Sequence, residues 1–121
     1  MKFLGVDYGR SKVGLAVAES KFAQPLKVVR YTDIKLLVSQ IQKIIEQEKI
    51  EKVVVGVSEG EIAKESKEFA KLIGAETFDE TLSTHDAQEL SKQAGIKRKK
   101  RKNMEDAFAA TVMLQNYLDQ K

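Results

Sequence analysis

Two spacings of apolar residues divide the chain into strands and helices. Short, near-continuous apolar runs predict buried strands, and Asp7 interrupts the first of them. The first two runs are separated only by Gly9-Arg10-Ser11, so we expect a hairpin. Pro25 ends the next loop and precedes a strand at the sheet edge. The predicted strands cover residues 2–8, 12–18, 26–31, 52–57 and 75–78.

Helical spacing appears between these runs. Asp33 is placed to cap a helix whose apolar stripe starts at Ile34 and continues to Ile45. Further helices are predicted at 61–73, at 84–93 and from about 103 to 118. A strand meander followed by helix crossovers predicts an α/β fold with a mixed five-stranded sheet, the first three strands antiparallel and helices on both faces. The chain, 1–121, is expected to be one domain.

Composition excludes several classes of site. There are no cysteines, so a disulfide scaffold or a thiolate site is ruled out, and a single histidine, His85, cannot build a multi-histidine zinc site. Any hard metal ion would be bound by Asp and Glu oxygens. Asp7 and Arg10 cut short the N-terminal apolar run, and no window is long enough to span a bilayer. We therefore expect a cytoplasmic protein with no membrane partner.

Three acids stand out by position. Asp7 lies in the first strand, Glu80 just after the last strand, and Asp106 near the start of the last helix. If the first, fourth and fifth strands are parallel, Asp7 and Glu80 lie at the carboxyl edge, where α/β sheets bind ligands. Each also has a structural explanation: Asp7 as a turn acceptor with Gly9, Glu80 as a solvated loop acid, and Asp106 as a first-turn partner of the helix dipole.

Four segments, in order and at comparable spacing, resemble YqgF-type proteins, a family named for Holliday junction resolution and pre-ribosomal RNA nuclease activity. The family's opening is similar to FLGVDYGRSKVGLAVAES, and its fourth strand to KVVVGV. Its D-E-R-L-[ST]-T segment and the following helix are similar to TFDETLSTHDAQEL. Its closing D-x-x-x-A helix is similar to MEDAFAATVMLQNYLDQ. The resemblance spans nearly the whole chain.

The resemblance implies an RNase H-like (RuvC-like) fold with an active site at Asp7, Glu80 and Asp106. The implied activity is hydrolysis of phosphodiester bonds in structured nucleic acid, in pre-16S rRNA processing or Holliday junction resolution. Two Mg²⁺ or Mn²⁺ ions about 4 Å apart would activate water and neutralise the phosphate. As a hypothesis, Asp7 bridges both ions while Glu80 and Asp106 each hold one.

A basic segment, residues 97–102, directly precedes the helix that carries Asp106. Its six consecutive cations exceed the net charge of +3, so the rest of the chain carries −3. Such a run is commonly a solvated loop. Its place beside the expected site favours instead a loop that contacts phosphates without reading bases. The predicted nucleic-acid contacts are Arg10, Lys12, Lys97, Arg98, Lys99, Lys100, Arg101 and Lys102.

The chain departs from the family pattern at three places. Thr81 stands where arginine is usual, Glu19 where Asp is common, and the loop after Val57 is short and lacks a proline. These departures leave open a non-catalytic RNA-binding or ribosome-assembly factor that keeps the fold. A remoter alternative is an actin-like or sugar-kinase-like ATPase, whose phosphate turn resembles DYGRSKVG but which needs two related domains. RNA is favoured over DNA on family grounds alone, and a junction resolvase would act as a homodimer.

Overall fold

The computed structural model of the protein describes residues 1–57, 60–79 and 104–120. The strands are β1 (Lys2–Asp7), β2 (Lys12–Glu19), β3 (Phe22–Arg30), β4 (Lys52–Val57) and β5 (Glu76–Asp79). The helices are α1 (Ile34–Gln47), α2 (Glu61–Ile73) and α3 (Glu105–Asp119). The predicted helix at 84–93 and the basic segment lie outside the described residues.

The five strands form one mixed sheet in the order β3-β2-β1-β4-β5. β1 pairs antiparallel with β2, and β2 pairs antiparallel with β3. β4 is parallel to both β1 and β5. Parallel neighbours require long crossovers, which α1 and α2 provide. The predicted meander and mixed α/β sheet are thereby confirmed.

Two cores cover the two faces of the sheet, because successive strand residues point to opposite sides. Leu4 and Val6 of β1 belong to the core beneath α1 and α2, which also includes Phe69. On the other face, Ala16 and Ala18 of β2 pack with α3. The prediction of helices on both faces is therefore confirmed.

The predicted cap of α1 is present, because the Asp33 Oδ1 accepts a hydrogen bond of 2.9 Å from the Lys35 main-chain N–H. At the other end of the second crossover, Gly74 terminates α2 in the left-handed conformation, with a φ of 67°. The boundaries of α1 and α2 thus follow from residues that the sequence displays directly.

β3 begins earlier than predicted, at Phe22 rather than after Pro25. Pro25 lies inside the strand, opposite Ala16, where the register shifts between Leu15 and Ala16. Proline has no N–H to donate, but an edge strand or a bulge tolerates this loss. The predicted edge position of β3 is confirmed, while its predicted start is wrong.

The last helix is fastened to the N-terminal hairpin. The Gln115 side chain accepts a hydrogen bond from the Ala23 N–H and donates one to the Lys21 carbonyl, each 2.9 Å long. Farther along the sheet, the Phe3 ring meets Tyr117 edge-on at 6.2 Å. These contacts fix α3 across β1 and β2. None of the helices in the described part of the chain combines the length and hydrophobicity needed to cross a membrane.

Candidate active site

Asp7 lies at the carboxyl end of the central strand and faces α3. Phe3 contacts α3, and strand alternation puts Gly5 and Asp7 on the same side. Both cross-strand partners of Asp7 are glycines, Gly14 of β2 and Gly56 of β4. Paired residues point to the same face of a sheet, so the two residues directly opposite the half-buried Asp7 have no side chain.

Asp106 lies in the first turn of α3, where this helix crosses β2 at Gly14. A Cβ atom on Gly14 would lie 1.9 Å from the Asp106 carbonyl oxygen and 2.8 Å from the Ala107 nitrogen. Only glycine permits so close an approach. Because Gly14 is the partner of Asp7 in the sheet, this contact brings the start of α3 to the level of Asp7.

Asp7 and the start of α3, which carries Asp106, thus lie at one edge of the sheet, and we call these two residues the acid pair. The Asp106 side chain keeps 32% of its surface exposed. Glu80 follows directly after β5 but lies outside the described residues, so the convergence of all three stays a prediction. Within residues 1–57, 60–79 and 104–120, no three His, Asp or Glu side chains cluster in a way that could hold a metal ion.

A cation lies against this acid pair. The Lys12 Nζ is 3.0 Å from the Asp106 Oδ2, and the lysine side chain is 43% exposed. Lys12 begins β2 two residues before Gly14, so both residues point toward α3. The predicted phosphate-binding lysine is therefore adjacent to the acids, and its contact with nucleic acid stays a prediction.

Arg10 lies in the turn between β1 and β2 and reaches α2 instead of the acids. Its Nε donates to the Glu65 Oε2 at 2.9 Å, and a guanidinium nitrogen lies 3.8 Å from Glu61. The hydrogen bond to Glu65 raises the pKa of Arg10 above its ordinary value. Sequence reasoning missed this pair because its members are 55 residues apart.

The same turn is held from the other side by Tyr31. Its hydroxyl donates a hydrogen bond to the Gly9 carbonyl, and its main-chain N–H donates to the Ser11 carbonyl at 3.0 Å. Burial, together with a hydrogen bond to Tyr8, raises the pKa of Tyr31 above its ordinary value. The loop that follows Asp7 is therefore anchored to both β3 and α2.

The donor chemistry at this edge fits a hard divalent cation. Mg²⁺ binds through one or two carboxylates and keeps several waters, and Asp7 and Asp106 are two partly exposed carboxylates. Lys12 already neutralises one carboxylate, so a cation and the lysine ammonium would compete for Asp106.

The sequence matches one known family over nearly its whole length. A family model described as "RuvX: Holliday junction resolvase" matches residues 1–120. The chain belongs to the RuvX family. Two RuvX relatives with the name "Putative pre-16S rRNA nuclease" are each 32% identical to it. The match to the relative from Agathobacter rectalis covers 98% of this chain and 95% of that protein. The match to the relative from Oceanobacillus iheyensis covers the whole of both chains.

Solved structures extend the likeness of this RuvX protein to its fold. RuvC of T. thermophilus in complex with Holliday junction substrate superposes with a TM-score of 0.64 at 16% identity, over 99% of this chain and 96% of that one. The Holliday junction resolvase of fowlpox virus gives a TM-score of 0.69 at 10% identity, over the full length of both. At these identities the similarity concerns the fold alone, and it confirms the predicted RuvC-like architecture.

Proposed function

We propose that this protein is a metal-dependent nuclease that hydrolyses phosphodiester bonds in structured RNA, in the maturation of pre-16S rRNA. One observation carries the proposal: the close contact at Gly14 brings Asp106 to the carboxyl end of β1, where Asp7 lies between two glycines. The family description, "Holliday junction resolvase", supports a nuclease. The names of the two relatives support ribosomal RNA as the substrate.

The residues that would hold Mg²⁺ or Mn²⁺ are Asp7, Glu80 and Asp106, with two ions as the proposed complement. Bound there, such ions supply an activated water and charge neutralisation at the phosphate. The protein itself contributes position. Asp7 is fixed by strand pairing on both sides, and Asp106 by the contact of α3 with Gly14.

Cations of the chain would bind the substrate backbone around this site. The Lys12 ammonium lies 3.0 Å from Asp106 and is exposed enough to reach a phosphate that approaches the acids. Residues 97–102 add six positive charges a few positions before Asp106 in sequence. Such contacts give affinity without sequence specificity. We also propose a cytoplasmic location, where a precursor RNA would be accessible.

The decisive experiment replaces Asp7 by Asn, which keeps the size of the side chain and removes its charge. We expect D7N to lose cleavage of a pre-16S rRNA fragment in Mg²⁺ and in Mn²⁺, with an unchanged urea unfolding midpoint. The matched control is D119N, the same chemical change at the exposed C-terminal end of α3. D119N should cleave at the wild-type rate. Wild-type cleavage by D7N would refute the metal scheme.

Two other functions are separated by related measurements. Thr81, in place of the family's usual arginine, favours a non-catalytic RNA-binding or ribosome-assembly factor. That function predicts RNA binding by wild-type protein without turnover in either metal. The family description favours DNA junction resolution, which predicts cleavage of a four-way DNA junction and a homodimeric mass in solution, because a two-fold symmetric substrate requires two sites.

A further inference from the structure

An open groove of about 880 Å³ lies beside the turn that follows β1, on the face of the sheet covered by α1 and α2. Its apolar lining consists of three aromatic residues, Tyr8, Tyr31 and Phe69, together with Ile34 and Leu72. Its polar lining includes Arg10, Asp33 and Glu68. We call it the tyrosine groove. Neither Asp7 nor Asp106 is among the described residues that line it, so it is separate from the acid pair.

The tyrosine groove is nevertheless next to the acid pair along the chain. Tyr8 directly follows Asp7, which faces α3. Tyr8 contacts Phe69 of α2 and therefore lies on the opposite side of the sheet. The end of β1 thus separates two features, the acids on one side and the groove on the other. A nucleic-acid strand that crosses this edge would place a phosphate on the side of the acids and a neighbouring base on the side of the groove.

The aromatic part of the groove is held in place. The Tyr8 ring stacks on Phe69 with centroids 5.0 Å apart and planes 30° apart, and Phe69 is only 1% exposed. The Tyr31 ring lies 6.4 Å from Tyr8 at a tilt of 40°, and its hydroxyl is anchored on the Gly9 carbonyl. Fixed aromatic rings beside a nucleic-acid path are stacking surfaces for unpaired bases.

The charges around the groove select a base and disfavour a phosphate. Carboxylates of Asp33, Glu65 and Glu68 line it, and Arg10, the one cation among its described lining residues, already pairs with Glu65. Carboxylates accept hydrogen bonds from exocyclic amino groups, which adenine, cytosine and guanine carry. Uracil and thymine present a carbonyl oxygen at the corresponding position, which these acids would repel.

We propose that the tyrosine groove binds one unpaired base with an exocyclic amino group (adenine, cytosine or guanine) of the substrate strand, next to the phosphate positioned at Asp7. This inference rests on the proposed nuclease function and adds a requirement that the substrate be unpaired beside the cleavage site. Extruding a base costs least where the strand is already single. The base stacks on Tyr8, and its amino group donates to the acidic lining, where Glu68 is the exposed member on α2.

The test measures binding without metal, so that no cleavage enters. Fluorescence anisotropy in EDTA compares labelled rA5 and rU5 pentanucleotides on wild-type protein and on Tyr8→Leu, Tyr8→Phe and Glu68→Gln. Phe22→Leu is the matched control, because it removes an aromatic ring that is 76% exposed on β3, away from the groove. Urea unfolding of each variant verifies that the fold persists.

We expect wild-type protein to prefer rA5, and Tyr8→Leu to weaken rA5 binding about tenfold, as loss of one stacked base does. Tyr8→Phe should restore it, since the ring is kept. Glu68→Gln should reduce the preference for rA5 over rU5, because the amide of glutamine can accept a hydrogen bond from the amino group of adenine and can also donate one to a carbonyl oxygen of uracil. Equal binding of rA5 and rU5 by wild type, or unchanged rA5 binding by Tyr8→Leu, would overturn the inference.

The two proposals fail separately. If wild-type protein cleaves RNA and D7N does not, while Tyr8→Leu binds rA5 normally, the groove inference falls and the nuclease stands. If no cleavage occurs in either metal, while rA5 binding depends on the Tyr8 ring, the nuclease falls and the groove is the base-binding part of an RNA-binding factor.

Discussion

Replacing Gly14 by Ala tests the contact that brings the two acids together. The added methyl carbon would lie 1.9 Å from the Asp106 carbonyl oxygen and 2.2 Å from its carbonyl carbon. To reach even 3.0 Å from that oxygen, the start of α3 must move by about 1.1 Å. These are main-chain atoms of a helix, so no change of rotamer relieves the clash.

The cost can be estimated from this geometry. Overpacking of a core costs about 1–3 kcal/mol, and a rigid partner places this substitution near the upper value, about 3 kcal/mol in the free energy of unfolding. A displacement of about 1 Å at a catalytic group costs on the order of 100-fold in rate. We therefore expect G14A to remain folded at low temperature, to unfold at lower urea, and to cleave on the order of 100-fold more slowly.

Urea unfolding and single-turnover cleavage measure the two effects, with G74A as the control. Gly74 has a φ of +67° and no atom within 4 Å of an added Cβ, so the same substitution there introduces backbone strain without a clash. G74A should lose about 1 kcal/mol and keep its cleavage rate. A G14A protein with wild-type stability and wild-type cleavage would show that α3 does not approach β2 at this position.

Two further predictions concern pH and salt. The raised pKa of Tyr31 means that the folded protein keeps a proton that the unfolded chain releases near pH 10, so stability should fall as pH rises above about 10. Between about pH 9 and pH 11, the urea unfolding midpoint of Tyr31→Phe should fall less than that of wild-type protein. An identical fall in both proteins would show that Tyr31 does not contribute to the pH dependence of stability. Replacing all six cations of residues 97–102 by Gln should reduce the slope of log affinity for single-stranded RNA against log salt concentration by up to about 4. An unchanged slope would show that this segment contacts no phosphates.

The sheet was predictable because its signals are local. β1 and β4 are apolar on both faces, which is typical of central strands. Asp33 is a residue type that caps helices, and it indicates where α1 begins. β3 was the exception. Proline is normally a strand breaker, and the bulge that accommodates Pro25 depends on pairing with Ala16 of another strand. The sequence of β3 alone therefore does not predict this bulge.

The sequence singles out the candidate acids, whose roles stay predictions, but it does not show what positions them. Asp7 and Asp106 are conspicuous as an interrupted strand and as a first-turn acid. The contact that joins them depends on Gly14, which looks like any other strand glycine until α3 is placed against it. The engagement of Arg10 by Glu65 was equally hidden, because no periodicity connects a turn to a distant helix.

The fastening of α3 to the N-terminal hairpin has a consequence for synthesis. The Gln115 side chain hydrogen-bonds to the main chain of Lys21 and Ala23, and the main chain of Asp106 lies against Gly14. Both ends of the chain therefore contribute to one layer of the molecule. While a ribosome is still translating codons before residue 105, α3 does not yet cover its face of the emerging sheet, and the chain does not yet contain Asp106. A polypeptide that ends before α3 therefore lacks the proposed hydrolytic site, whatever RNA contacts its earlier residues make.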